Sequence, residues 1–235
     1  GVPIDASEAS RAWCWSPSTL ADVDLVTRSV GEYSSRIGSV SGVNVMTRLN
    51  NFGMSPLLVG HPSLRVREVF SDLEHSPQDR IGVVLHKEHW PRWVDDLERR
   101  GYHVIQSFCD ESSRDPLEEV RERIIQILSC DRIISTSLAG LGISNAFGVP
   151  YVYARDRDRP IFKPDAITHD CLPFMEHFSF IGVSDPLCVD ISEFVKANPS
   201  ELEDEMFEKA VHLNPQHAAD FNLFELLKSA DSMGL

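Results

Sequence analysis

Residues 130–154 read Cys130-Asp-Arg-Ile-Ile-Ser-Thr-Ser-Leu-Ala-Gly-Leu-Gly-Ile-Ser-Asn-Ala-Phe-Gly-Val-Pro-Tyr-Val-Tyr-Ala154. Arg132 to Ser135 is a short β-branched run, and Leu138 to Phe147 has helical apolar spacing. Gly148-Val149-Pro150 then stops the helix ahead of a second strand, Tyr151 to Tyr153. A strand, a helix and a strand at this spacing predict one crossover unit of an open parallel sheet.

Between strand and helix lie Ser135, Thr136 and Ser137. Three small hydroxyl residues at the carboxyl end of a strand offer helix caps, and the helix that follows offers free backbone N–H groups and the positive end of its dipole. Such a junction suits an anion. Gly140 and Gly142 fall in the first turns of that helix, where each costs roughly 1 kcal/mol relative to alanine. Close approach of backbone or ligand is the expected compensation. A serine-capped helix packed tightly on a sheet would use the same residues without any ligand.

Working outward, residues 81–85 form a continuous apolar strand, residues 91–100 a helix with proline in its first turn, and residues 102–107 another strand. Asp115 caps a helix running to Leu128, with Pro116 at its first position and Val120, Ile124, Ile127 and Leu128 on its buried face. The alternation implies a Rossmann-like α/β domain with right-handed crossovers. Ligands of such sheets collect beyond the carboxyl ends of the strands. His86 ends one strand and Ser135 to Ser137 end another. The loop from Arg155 to Lys163, which alternates charge with a small positive surplus, follows a third, so all three are expected on one rim. Screened surface charges are an equally ordinary use of Arg155, Arg157 and Arg159.

Composition narrows the function. The chain has 235 residues and a formal charge of −14. That charge argues against broad nucleic-acid binding, which neutralises phosphates with Lys and Arg, so an anionic substrate has to meet a local positive pocket. No run is long enough to span a bilayer and no signal-peptide pattern opens at Gly1. The start at Gly-Val-Pro reads as a processed or trimmed chain. Five scattered cysteines show neither a disulfide framework nor a zinc spacing, which points to a reducing cytosol. The expected location is the cytoplasm, free or peripheral at the inner membrane face. His86 and His89 are three apart beside Trp90-Pro91, a weak metal pattern, and metal catalysis is not expected.

Several ordered motifs resemble the polysaccharide (ketal) pyruvyltransferase family. Ser135-Thr-Ser-Leu-Ala-Gly-Leu141 followed by Ala146-Phe-Gly-Val-Pro150 is similar to the family's Ser-x-x-His-Gly-Leu plus Ala-x-Gly-x-Pro signature. Ile81-Gly-Val-Val-Leu-His86 resembles its strand ending in Pro-His, Phe162-Lys-Pro-Asp165 its Phe-Lys-x-Asp segment, and Val59-Gly-His-Pro-Ser-Leu64 its Gly-Asp-Pro-x-Leu. The likeness spans about residues 21–182. Ala139 departs from the pattern, standing where the family carries its histidine, and His61 stands where an aspartate is usual.

The resemblance implies a glycosyltransferase-B-like architecture with a reduced amino-terminal half. It also implies transfer of the enolpyruvyl group of phosphoenolpyruvate to sugar hydroxyls of a cell-surface or exopolysaccharide glycan, or a lipid-linked saccharide, without cofactor. On this view Arg28, at the end of a strand over residues 24–29, joins Ser135, Thr136, Ser137 and Lys163 in binding the donor, while His86 and position 139 carry the acid/base work. A core or second-shell histidine and a surface arginine are the plainer readings of His86 and Arg28. Two competing functions use the same features: a nucleotide-sugar glycosyltransferase, and a glycan-binding relative impaired in catalysis by Ala139.

The expected divisions are residues 1–75, an amino-terminal α/β portion that reads as truncated; 76–190, the donor-binding domain; and 191–235, carboxyl-terminal helices packing back. A Ser- and Gly-rich loop is expected over 31–42, a helix over 43–52, a buried strand from Leu57, and helices near 192, over 201–213 and over 217–230. A homo-oligomer is compatible with all of this.

Overall fold

A computed structural model of the chain describes residues 39–40, 43–51, 57–58, 60–107, 115–158, 172–183, 186–202 and 204–208. The chain divides into two compact units, Gly1–His61 with Pro164–Gly182 and Ala219–Leu235, and Pro62–Lys163 with Val183–Ala218.

The larger unit is built on a parallel sheet. Its strands are β3 (Ile81–Leu85), β4 (His103–Gln106), β5 (Arg132–Ser135), β6 (Tyr151–Arg155) and β7 (Cys188–Asp190), in the spatial order β4-β3-β5-β6-β7. Register pairs Val84 with Ser135 and Ser135 with Tyr153. The described helices of this unit are α2 (Val66–Val69), α3 (Trp90–Arg99), α4 (Pro116–Leu128), α5 (Leu138–Phe147), α7 (Ile191–Phe194) and α8 (Asp204–Glu208). The smaller unit contributes strands β1 (Ser39–Val40) and β2 (Leu57–Leu58), which pair in parallel, and helices α1 (Val43–Asn51) and α6 (Leu172–Phe180).

Side-chain alternation along the strands sorts the core into two layers. Val83, Leu85, Ile134, Val152 and Ala154 face Trp93 and Leu97 of α3, Ile191 and Phe194 of α7, and Phe207 of α8. Full burial of a side chain the size of Leu85 or Leu97 contributes about 2 kcal/mol. The opposite face packs against α4 and α5, where Gly82 lies under Cys130, and Val84 and Ser135 lie under Gly140. Helices on both faces of a parallel sheet make the unit Rossmann-like.

The expected bounds of β3, β5 and α5 match those observed, and Asp115 caps α4 by accepting from the Glu118 N–H at 3.1 Å. Val120 is only half-buried on the α4 face. Several elements differ from expectation, the short helix α2 and the 3-10 turns Pro62–Arg65 and Pro199–Glu201 among them. β7, a three-residue strand, extends the sheet beyond β6, and α6 forms where no helix was expected. Ser39–Val40 is a strand inside the segment expected as loop, paired with Leu57–Leu58. The strand expected over 24–29, and with it Arg28, lies outside the described residues, as do Arg159, Lys163 and the helix expected over 217–230.

Candidate functional site

The strand order reverses at β3. From β4 the chain crosses back to β5 on the other side of β3, so helices leave the sheet on opposite faces at the carboxyl ends of β3 and β5, the position where open α/β sheets form their ligand crevice. His86 and the Ser135 to Ser137 hinge meet there. The His86 N–H donates to Thr136 Oγ1 at 3.0 Å, and the Thr136 N–H donates to the Val84 carbonyl at 3.0 Å.

The Ser135 and Thr136 hydroxyls are spent on the fold itself. Ser135, Thr136 and Ser137 are all buried. The Ser135 hydroxyl donates to the Ser137 carbonyl at 2.8 Å and accepts from the Ser137 N–H at 3.0 Å. Ser137 occupies the N-cap position with extended backbone, yet its side chain makes no capping hydrogen bond. What the junction presents is therefore backbone. The first N–H groups of α5, at Leu138, Ala139 and Gly140, have no partner within the helix, and no carboxylate lies in the first turn. Half-buried Ala139 sits at this mouth.

Packing accounts for the two glycines. A Cβ at Gly140 would come within 2.5 Å of Ser135 Oγ and 2.8 Å of Val84 Cγ1, and one at Gly142 would overlap Ser63. α5 can approach the sheet and the short 3-10 turn Pro62–Arg65 only without these methyl groups. Gly148 ends α5 in the left-handed region at φ 73°, a conformation that favours glycine.

His86 is half-buried, and its ring is held below the usual histidine range, chiefly by burial. The neighbouring His89 and Lys87 push the same way, against Glu88. His89, itself 1% exposed, presents its ring at 6.1 Å and 66° to that of His86.

At β6 the rim carries the alternating charges expected from the sequence, held in pairings that the sequence did not reveal. Asp156 is buried and accepts from Trp93 Nε1–H at 2.7 Å and from the Arg92 guanidinium at 3.2 Å. Arg92 also donates to Asp158 at 2.7 Å and stacks 4.4 Å over the Trp93 ring. Arg157 pairs with Asp190 at 3.2 Å. Arg155 is exposed at the end of β6. The signal available in sequence was Arg92-Trp93 in the first turn of a helix, facing an acidic residue just past a strand.

Among the described residues no group of three or more His, Cys, Asp or Glu side chains is placed to hold a metal ion. No described helix is long and apolar enough to cross a membrane. In the smaller unit His61 and His177 are close enough to interact electrostatically; burial lowers them to about 4 and about 3. Both ring nitrogens of His177 are buried without a hydrogen-bond partner.

The chain matches no protein-family model, no curated protein and no solved structure.

Proposed function

We propose that the chain is a pyruvyltransferase of the ketal-forming kind, with phosphoenolpyruvate at the β3/β5 crevice and a glycan as acceptor. One observation carries the reading. The backbone of a histidine and the hinge that opens a ten-residue helix are tied together at the point where the sheet order reverses, through the His86 backbone N–H and Thr136 Oγ1. Helix N–H groups suit the phosphate or carboxylate of the donor, and an imidazole suits proton transfer near neutrality. The ordered motifs that resemble the pyruvyltransferase family add support.

The chemistry balances without a cofactor. A proton adds to the CH₂ carbon, two sugar hydroxyls add in turn at the central carbon, and its bond to the phosphate oxygen breaks. One hydroxyl proton restores the acid and the other leaves with phosphate. Here the donor-binding role falls to the backbone of Leu138 to Gly140, with Ser135, Thr136 and Ser137 shaping it from behind; Lys163 and Arg28 remain proposed anion ligands. The Pro62–Lys163 part of the larger unit corresponds to the donor domain of a glycosyltransferase-B-like pair whose amino-terminal half is reduced. A homo-oligomer at the inner membrane face would fit a lipid-linked acceptor.

Ala139 favours a second reading, a glycan-binding relative with impaired turnover, because loss of a general acid typically removes about 10²–10⁴ in rate. The deciding experiment assays phosphate release and ketal formation from phosphoenolpyruvate across a panel of glycans, with wild type and Ala139→His. A gain on introducing histidine supports the transferase. Saturable glycan binding with no product from either form supports the binding protein, and binding of a nucleotide diphosphate in place of phosphoenolpyruvate supports a nucleotide-sugar glycosyltransferase.

A further inference from the structure

His86 is pinned at its backbone and at its ring. Its N–H donates to Thr136 Oγ1, and its carbonyl accepts from the N–H groups of His89 at 2.9 Å and Trp90 at 3.0 Å. Its ring Nδ1 accepts from the Glu88 N–H at 3.3 Å. A backbone N–H can only donate, so Nδ1 must offer a lone pair. In a neutral imidazole the other nitrogen then carries the hydrogen. The flanking His89 ring helps to hold this orientation. Among the described residues the remaining charged neighbours are Lys87 and Glu88, while the β5 side contributes the uncharged Thr136 hydroxyl.

We infer that His86 stands in the crevice as the Nε2–H tautomer and acts as a donor, giving a hydrogen bond to a ligand oxyanion of the phosphate or carboxylate class and not serving as the initial base. To act first as a base through Nε2, the ring would have to move its hydrogen to Nδ1 and break the bond from the Glu88 N–H. The inference deepens the pyruvyltransferase reading by making His86 a hydrogen-bond donor to the donor molecule's oxyanion, which leaves protonation of the CH₂ carbon to another group. It rests on that reading only for the identity of the donor molecule.

The test is a side-chain ¹H–¹⁵N correlation spectrum of the ¹⁵N-labelled full chain at pH 8, with His86→Gln used to identify the resonances. A protonated Nε2 and a bare Nδ1 are expected. Hydrogen on Nδ1, or rapid averaging between the two nitrogens, overturns the assignment. Glu88→Pro deletes the donating N–H and is expected to turn the single tautomer into a mixture; an unchanged Nε2–H form would overturn the role given to that amide. Inorganic phosphate titrated into the wild type is expected to move the Nε2 proton resonance, and saturating phosphate that leaves it in place overturns the oxyanion contact. If phosphate moves this resonance while no glycan yields a ketal, the donor role stands and the pyruvyl reading falls, so the two failures are told apart.

Discussion

At the ends of β3 and β5 the chain presents the His86 imidazole and the amino terminus of α5, whereas at the ends of β6 and β7 it presents Arg92, Asp156, Arg157, Asp158 and Asp190 already paired with one another. The contrast separates strand ends whose charges are already paired from strand ends where the described residues around the hinge are uncharged, on a chain of net charge −14. On the charged half, an incoming oxyanion would have to displace Asp156 from a guanidinium and an indole. On the neutral half, the positive end of a helix meets no carboxylate in its first turn.

The largest expected effect tests whether the charged half is structural. Asp156→Ala leaves Trp93 Nε1–H and part of Arg92 without an acceptor and should destabilise the larger unit by about 3 kcal/mol, measured by urea unfolding. A loss no greater than that of Arg157→Ala would erase the contrast. Gly140→Ala follows. Crowding against Ser135 and Val84 costs about 1–3 kcal/mol and the gain in helix propensity returns roughly 1, for a net loss of about 1 kcal/mol and weakened phosphate binding.

Thr136→Val removes the acceptor of the His86 N–H and should cost about 1 kcal/mol. It should also broaden the His86 ring resonances, because one of the tethers on that residue is gone. Unchanged resonances would mean that the hydroxyl does not order the imidazole. Arg157→Ala is expected to cost less than about 0.5 kcal/mol, since the Arg157 side chain is mostly exposed and the Ser192 N–H still donates to Asp190.

Acid separates the two halves by pH alone. The folded His86 ring titrates below 6.5, so the unfolded chain binds the extra proton, and this contribution to stability is lost as pH falls below 6.5. Asp190 is held below 3.8 by hydrogen bonds from Ser192 together with Arg157 and Arg155, which outweigh its burial. Its contribution is present above 3.8 and is lost as pH falls through its lower folded value. His61 and His177 add a larger acid-sensitive background in the smaller unit. The measurement is therefore the difference in urea midpoint between wild type and His86→Gln across pH 7 to 4, expected to narrow toward acid. A constant difference would contradict the lowered titration of His86.

Local signals made much of this sheet readable. β3, β5, α4 and α5 are marked by β-branched runs, a capping aspartate before Pro116 that starts α4, and a glycine that stops α5, all decided within a few residues. β7 is three residues, too short for alternation to register, and becomes a strand because β6 offers Tyr153 to Arg155 as a pairing edge. α6 is apolar enough that its helical period does not stand out from its composition. For the candidate site, the location at the strand ends was legible, but the use of the hydroxyls was not. Whether Ser135 faces a ligand or its own backbone depends on the carbonyl of Ser137 and on how closely Gly140 approaches. The Asp156 clamp was hidden for the same reason, since its partners lie 63 and 64 residues away.

Gly142 and Ser63 share what is sterically a single place, although they are far apart in the chain. Neither residue can enlarge alone, so substitutions here must occur in a fixed order. Ser63→Gly opens the room that Gly142→Ala needs, while the reverse sequence passes through a crowded intermediate. The turn Pro62–Arg65 and helix α5 therefore diverge together or not at all, which makes this contact a lock on how variants of the protein can arise.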